Sequence, residues 1–281
     1  MNSFCSPGIV RPVPVLSLVL ALTMLASGLN RASGQRVPDT TRFTSFDGIR
    51  IHYEVAGLGR PVILVHGFIV NSQSWKKTAL YRDLLQAGYQ VILVDLRGNG
   101  QSDKPHDSSA YAHDAEARDI MTLASRLHLK RYAAVGYSRG SIIVSRLLVL
   151  DRRVKRAVLG GMGADFTNPQ WPRRLQFYRA LRGDSVPELA SMVRYVDEQH
   201  LDRQALACQQ QEQPSTSREE LARIRVPVLL VCGDQDTDNG SARELAALIP
   251  GSLFRQTPGV HNTANGTPEF SREVITFLAK K

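Results

Sequence analysis

Cysteine is scarce in this sequence, which has three in 281 residues. Cys5 lies in the first segment of the chain, so only Cys208 and Cys232 remain beyond it. One pair is not the framework of several bridges that holds small secreted domains together, and we expect no disulfide between these two residues. The hydrophobic content of 43% predicts a domain stabilised by a sizeable apolar core.

The sequence also lacks an apolar run long enough to cross a bilayer. The N-terminal stretch from Val15 to Ala26 is shorter than the roughly 20 residues that a spanning helix needs. Arg11 precedes this stretch, small residues follow it, and no acidic residue occurs before Gln35. This layout is typical of a secretory signal peptide, which we predict over residues 1–34.

This prediction implies export, either to a periplasm or beyond the cell, and no stable membrane insertion of the mature chain. We place the cleavage site after Gly34, with Gly28 as the second choice, because small residues surround both positions. An uncleaved N-terminal anchor is the alternative, although the apolar stretch is short for that role. The predicted mature domain covers residues 35–281, a length that suits one α/β domain.

Acidic residues are outnumbered by basic ones, 26 against 35, which gives a formal net charge of +9. The basic residues occur in small separate groups, such as Lys130–Arg131 and Arg152–Arg153. A nucleic-acid-binding domain would instead present a basic stripe, so we expect no nucleic-acid partner. The positive charge could still attract anionic surfaces or substrates.

The most informative stretch runs from Arg131 to Val144 and contains the pattern G-x-S-x-G, with Ser138 between Gly136 and Gly140. A short apolar run precedes the serine and an apolar-rich helical run follows it, which is the context of a nucleophile elbow. Such a turn exposes the serine hydroxyl and aims the first free amides of the next helix at the atom under attack. The pattern therefore predicts Ser138 as a catalytic nucleophile.

Apolar strand-like runs alternate with helical runs along the chain, which predicts an α/β fold with a mostly parallel central sheet of about eight strands flanked by helices. Two runs around Asp47-Gly48 predict a hairpin at the start of the sheet. The second run, Ile49–Val55, alternates strictly between apolar and polar residues, so we expect one face in water and His52 on the surface. The active site is expected at the carboxyl ends of the strands.

The alternation of strand-like and helical runs is interrupted over residues 163–224. We interpret this range as an insertion with helices of its own after the sixth strand. Helices are predicted over 173–182, 187–198 and 218–224. The polar segment Gln209–Pro214 is interpreted as a surface loop. The candidate pocket or insertion-core residues are Trp171, Phe177, Tyr178, Met192 and Tyr195.

Three motifs together resemble the α/β-hydrolase-fold superfamily over nearly the whole chain after residue 34. They are the elbow around Ser138, the segment His66-Gly67-Phe68 after an apolar run, and the D-x-R-G-x-G-x-S run that starts at Asp95. The resemblance implies that the insertion forms a small helical lid. It also implies that the backbone N–H groups of Phe68 and Arg139 form the oxyanion hole, while His66, Asp95 and Arg97 have structural roles.

The same resemblance implies the acid and the base of a catalytic triad. The family pattern G-x-x-D after the next apolar strand selects Asp236, with Asp165 and Asp234 as alternatives. His261 lies in the loop where the family places its base, although Val260 stands where glycine is more usual. The chain order of nucleophile, acid and base is the order typical of this fold.

Arg139 departs from the apolar residue that many relatives have after the nucleophile. A cation at a helix N-terminus opposes the helix dipole, so we expect a partner carboxylate nearby or, as the alternative, recognition of an acidic substrate.

These features predict an exported serine hydrolase that cleaves a carboxylic ester, or a related acyl bond, of a small molecule. The predicted chemistry needs no cofactor and no metal. The same triad could instead cleave carbon–carbon, amide or lactone bonds, or catalyse perhydrolysis. A non-catalytic ligand-binding protein and a structural surface protein are further alternatives, and the sequence leaves the oligomeric state open.

Overall fold

An eight-stranded sheet organises residues 39–280, which the computed structural model describes together with Met1. The predicted signal peptide lies outside the described residues. The strand order is β1-β2-β4-β3-β5-β6-β7-β8. The strands are β1 (Asp39–Thr44), β2 (Arg50–Ala56), β3 (Pro61–Val65), β4 (Gln90–Val94), β5 (Tyr132–Tyr137), β6 (Val154–Gly160), β7 (Val228–Gly233) and β8 (Leu253–Thr257).

The sheet is mostly parallel, as predicted. β2 pairs antiparallel with both β1 and β4, and every pair from β4 through β3 to β8 is parallel. Parallel strands of this kind need helical crossovers that cover both faces of the sheet, which explains why β3, β4 and β7 are apolar almost throughout. Their carboxyl ends meet along one edge.

The described part of the chain contains ten α-helices, nine in the connections between the strands and one after β8. Within that part, no helix has both the length and the apolar character needed to cross a membrane. The helices are α1 (Gln73–Lys76), α2 (Ala79–Gln86), α3 (Ala115–Arg126), α4 (Arg139–Leu150), α5 (Pro172–Arg182), α6 (Ala190–Glu198), α7 (Arg203–Gln211), α8 (Arg218–Ala222), α9 (Ala242–Leu248) and α10 (Pro268–Ala279).

Two apolar layers form the core, one on each face of the sheet. Residues of α3, α4 and α9 pack on one face, and residues of α2 and α10 pack on the other. Alternate residues of a strand point to opposite faces, so Ile63 contributes to the first layer and Leu64 to the second. The sheet is therefore held from both sides, and its carboxyl edge has a rigid support.

The predicted hairpin is present, but the predicted wet face of β2 is wrong. His52 is fully buried, and its Nδ1 lies 3.0 Å from Asp95 Oδ2. Glu54 is also buried, where it accepts a hydrogen bond from Gln73 and forms an ion pair with Lys76. β2 lies between two strands instead of at an edge, and polar residues of the covering loop supply partners for its polar side.

The insertion between β6 and β7 contains α5 to α8. The predicted helices correspond to α5, to α6 with the short 3-10 turn before it, and to α8. The interpretation of 209–214 as a surface loop is wrong at its start, because Gln209 and Gln210 are buried at the end of α7. The side-chain amide of Gln209 donates a hydrogen bond to Arg97 O, and this bond gives the buried polar side chain a partner.

Asp95 and Arg97 have structural contacts, as the resemblance implied. Asp95 accepts hydrogen bonds from the backbone amides of Ser72 and Gln101. Arg97 is fully buried, with its Nε 2.7 Å from Asp119 Oδ2 and its Nη1 2.7 Å from Asp47 Oδ2. These bonds fix the loop after β4 against the carboxyl edge of the sheet.

Replacing Arg97 with methionine should lower the free energy of unfolding by about 3–5 kcal/mol, because it leaves the buried carboxylate of Asp119 without its partner. Urea unfolding of both proteins measures the difference. The matched control is Arg82→Met, because Arg82 is largely exposed and its ion pair with Asp83 should contribute little.

The decrease in the free energy of unfolding caused by Arg97→Met should also depend on pH. Burial raises the pKa of Asp119 to about 6, although the hydrogen bond and charge of Arg97 oppose that rise. A carboxyl group with a raised folded-state pKa loses its contribution to stability as the pH rises through that value. Without Arg97 the pKa rises further, so the deficit should be larger at about pH 8 than at about pH 5. An equal deficit at both pH values would contradict this account.

Candidate active site

Ser138 lies at the turn between β5 and α4 with φ of 53° and ψ of −125°. This positive φ is unfavourable for a residue with a side chain and must be held by its surroundings. The Ser138 amide donates to Gly160 O at 2.8 Å, and Ser141 N donates to Ser138 O at 2.8 Å. The neighbouring strand and the first turn of α4 thus hold the serine in a strained conformation that lifts its hydroxyl from the sheet.

The two glycines of the motif allow this turn to pack closely. A Cβ atom on Gly136 would collide with the carbonyl oxygen of Gly140, and one on Gly140 would collide with the carbonyl oxygen of Val65 in β3. Both obstacles are backbone atoms, which cannot move aside as a flexible side chain can. The spacing of the motif is therefore a steric requirement of the elbow.

The structure brings the three predicted triad side chains together. His261 Nε2 lies 2.9 Å from Ser138 Oγ, and His261 Nδ1 lies 2.9 Å from Asp236 Oδ2. An ionised carboxylate can only accept, so we assign the proton to Nδ1, and Nε2 is then free to accept from the serine hydroxyl. This is the arrangement in which a histidine can take the proton of an attacking serine.

Asp236 remains ionised in this arrangement. Burial raises the pKa of Asp236, but the hydrogen bond and charge of His261, the amide of Asp238 and the thiol of Cys232 together hold that pKa below its ordinary value. The thiol donates to Oδ2 over 3.4 Å, and the Asp238 amide donates to Oδ1 over 3.2 Å. The carboxylate is thereby held from three sides.

The other two aspartates considered from sequence are placed elsewhere. Asp234 accepts a hydrogen bond from Gly259 N at 3.0 Å, so it supports the loop that carries His261. Asp165 is exposed in the short helical turn after β6 and does not bond to the imidazole. Val260, which stands where the family usually has glycine, is exposed and leaves the His261 ring in contact with its partners.

Tyr137 positions the histidine loop, a role that the sequence analysis did not anticipate. Its hydroxyl donates to His261 O at 2.6 Å, and its ring lies 5.6 Å from the imidazole between ring centres. Because Tyr137 immediately precedes Ser138, one strand end fixes both the nucleophile and the backbone of the base. Only the adjacency of an aromatic residue to the motif could have indicated this contact.

The amides of Phe68 and Arg139 are available for a ligand oxygen. Neither donates a backbone hydrogen bond to another residue in the described part of the chain. Arg139 is the first residue of α4, where amides lack partners within the helix. A Cβ atom on Gly67 would lie 3.3 Å from Ser138 Cβ, so glycine keeps the space beside the nucleophile open.

His66 is structural, as the resemblance implied. It is buried, its Nε2 accepts from Leu96 N at 3.1 Å, and its Nδ1 lies 2.8 Å from Gly67 O. A ring nitrogen that accepts from an amide carries no proton, so the imidazole is neutral. Burial lowers the pKa of His66, which agrees with this assignment.

Arg139 has the partner carboxylate that its position requires. Its two terminal nitrogens lie 2.7 and 2.5 Å from the oxygens of Glu116 on α3, and both side chains are buried. Arg139 Nη2 also donates to Gln209 O at 3.4 Å, which links the elbow to α7 of the insertion. The cation after the nucleophile is thus neutralised inside the protein.

A cavity of about 590 Å³ opens above Ser138 and His261. The insertion forms much of its wall. Of the five residues proposed from sequence, four line the cavity, whereas Tyr178 packs in the apolar cluster around Leu181, Val196 and Leu206. Among residues 39–280, no cluster of three or more His, Cys, Asp or Glu side chains could hold a metal ion. The apolar lining residues are Phe68, Ile69, Val70, Ile142, Met162, Trp171, Phe177, Leu189, Met192 and Tyr195.

Comparison with known sequences agrees with the fold. Residues 60–184 match the family model described as alpha/beta hydrolase fold. A protein of Synechocystis sp., provisionally named a non-heme chloroperoxidase, is 45% identical over 113 residues, 40% of this chain and 40% of that protein. A non-heme haloperoxidase of Rhodococcus erythropolis is 37% identical over 123 residues, 42% of each chain. The chain thus spans about two fifths of the length of these relatives.

Comparison with solved structures covers more of the chain. An esterase from Exiguobacterium antarcticum has a TM-score of 0.72 at 22% identity, covering 86% of this chain and 100% of that one. A bromoperoxidase from Bacillus anthracis has a TM-score of 0.69 at 23% identity, with the same coverage. An enol-lactonase from Burkholderia xenovorans has a TM-score of 0.72 at 20% identity, covering 85% and 100%. Together these comparisons show that the chain has the α/β-hydrolase fold.

Proposed function

We propose that this protein is a serine hydrolase that cleaves carboxylic esters of small molecules. The observation that carries the proposal is the continuous set of hydrogen bonds from Ser138 through His261 to Asp236, beside a cavity that Ser138 and His261 line. A binding protein would not need a strained serine beside an oriented imidazole, since that strain costs stability.

The residues would act in two half-reactions. Ser138 Oγ attacks the ester carbonyl carbon while His261 Nε2 takes its proton, and the imidazolium then gives that proton to the departing alcohol oxygen. Water, deprotonated by the same imidazole, attacks the acyl-serine and releases the carboxylic acid and free Ser138. Asp236 orients His261 and stabilises its positive charge in both steps.

The developing negative charge on the carbonyl oxygen would be held by the amides of Phe68 and Arg139. Loss of one such donor typically lowers the rate about a hundred- to a thousandfold. The apolar residues of the wall above Ser138 suit the carbon chain of an acyl or alcohol group. The insertion would serve as the lid of this cavity, because its helices α5 and α6 supply much of the wall.

A second candidate is perhydrolysis by the same triad, which the names of the haloperoxidase relatives favour. Hydrogen peroxide would replace water in the second half-reaction and attack the acyl-serine, releasing a peracid and restoring Ser138. Both reactions share the first half-reaction, so the two candidates are separated by measuring peracid formation with hydrogen peroxide present.

We also propose that the protein is exported after removal of residues 1–34. The layout of basic, apolar and small residues in this segment supports the proposal. Mass spectrometry of the protein isolated from its native host should find Gln35 as the first residue, or Leu29 if the second site is used. Intact Met1–Gly34 on the isolated protein would contradict export by cleavage.

Replacing Ser138 with alanine should abolish labelling by a fluorophosphonate probe and lower ester hydrolysis at least about a thousandfold. A panel of p-nitrophenyl esters of increasing chain length, assayed on residues 35–281, measures the activity. Ser141→Ala is the matched control, because Ser141 Oγ donates to Gly160 O and forms no hydrogen bond with the imidazole of His261. Equal labelling of the Ser138→Ala protein, or no labelling of the folded parent, would contradict the proposal.

Replacing Cys232 with alanine should lower kcat/KM up to about tenfold, because one donor to Asp236 is lost. Without that donor the carboxylate becomes more basic, so the acidic limb of the pH profile should move to higher pH. Burial and the charge of Asp236 raise the pKa of the Cys232 thiol to about 12, so the thiol stays protonated and donating throughout the assay.

Two variants make this measurement specific. Cys232→Ser keeps a donor at this position and should restore most of the parent profile, whereas Cys208→Ala removes a buried thiol on α7 and should leave the profile unchanged. Identical profiles for the parent and Cys232→Ala would show that the thiol does not influence the acid.

A further inference from the structure

Three arginine residues contribute to the wall of the cavity above Ser138, together with its apolar residues. They are Arg139, Arg173 and Arg174. A cation beside an apolar pocket is costly unless a carboxylate neutralises it, so the partner of each guanidinium group decides what the cavity can bind.

Two of these groups already have carboxylate partners. Arg139 forms two hydrogen bonds with Glu116, as described above. Arg173 Nη2 lies 3.0 Å from Asp238 Oδ2, and its guanidinium carbon lies 5.2 Å from the ring centre of Phe177. Neither group has a free positive charge to offer to a ligand.

Arg174 differs, because none of the described carboxylates forms an ion pair with it. Its Nη1 donates to the backbone oxygens of Gln210 and Gln211, and its Nη2 donates to Pro169 O. Its Nε is buried without a hydrogen-bond partner. Burial lowers the pKa of Arg174, and the charge of Glu212, which forms no ion pair with it, opposes that change.

The donors of Arg174 are therefore only partly used. The three carbonyl oxygens occupy both Nη1 protons and one Nη2 proton, which leaves the second Nη2 proton for a ligand, because the Nε atom is closed to solvent. A hydrogen bond from a charged guanidinium group to a carboxylate is stronger than one between neutral groups.

We propose that Arg174 binds a free carboxylate of the substrate, so that the preferred substrates are esters that carry a second, unesterified carboxyl group. This inference rests on the proposed hydrolase function and names its substrate class. The apolar wall would contact the carbon chain, while Arg174 would supply the charged contact that selects anionic over neutral esters of the same shape.

Two matched substrate pairs test the proposal by comparing kcat/KM. The first pair places the charge in the acyl group, with mono-p-nitrophenyl glutarate against p-nitrophenyl hexanoate. The second pair places it in the alcohol group, with 4-(butanoyloxy)benzoate against the corresponding benzamide. For at least one pair, Arg174→Met should lower the ratio of anionic to neutral kcat/KM about ten- to a hundredfold.

Arg174→Lys should retain part of the preference, since it keeps the charge but loses the forked donors. Arg179→Met is the control for net charge, because Arg179 lies on the same helix, is exposed and pairs with Asp184. An unchanged ratio in Arg174→Met for both pairs would overturn the proposal, as would a parent enzyme that prefers the neutral member of both pairs.

Binding measurements keep the proposal testable if Arg174→Met does not fold or if no ester is cleaved. Calorimetric titration of the Ser138→Ala protein with glutarate and with glutaramide should show tighter binding of glutarate, weakened by salt. Equal binding of the two would overturn the inference. Hydrolysis of neutral esters with no preference for anionic ones would overturn the substrate class alone, whereas absence of both hydrolysis and probe labelling would overturn the proposed function.

Discussion

The strained backbone of Ser138 is the constraint on which the rest of the site depends. A serine at φ of 53° is held there because Gly136 and Gly140 allow α4 to pack directly against β3 and β5. The elbow aims the hydroxyl at His261 and leaves the first amide of α4 without a partner. Everything else in the site, from the histidine loop to the oxyanion loop after β3, is arranged around the position that this turn gives to one oxygen atom.

Buried polar groups connect this elbow to the insertion. Arg139 bonds to Glu116 on α3 and to the Gln209 backbone on α7, while the Gln209 side chain bonds to the loop after β4. Groups buried in this way are costly when one partner is missing, so the network fixes α7 to the carboxyl edge of the sheet more firmly than apolar contact alone would. The wall of the cavity and the nucleophile are therefore parts of one rigid arrangement.

The sequence predicted the parts of the molecule that depend on local patterns. Apolar runs indicated the parallel strands, and the glycines around Ser138 indicated the elbow. The burial of His52 was missed because the alternation of apolar and polar residues describes only the strand that contains them. It does not indicate that the loop containing Asp95 covers the polar side of this strand. The burial of Gln209 was missed for the same reason, since its partner Arg97 lies far away in the chain. Contacts of Tyr137 and Cys232 likewise depend on loops that no local pattern describes.

The most direct measurement of the central claim is a crystal structure of the protein after reaction with a fluorophosphonate. The account predicts phosphorus bonded to Ser138 Oγ, with the phosphonyl oxygen about 3 Å from the amide nitrogens of both Phe68 and Arg139. A phosphorus atom on another residue, or a phosphonyl oxygen turned away from both amides, would contradict it.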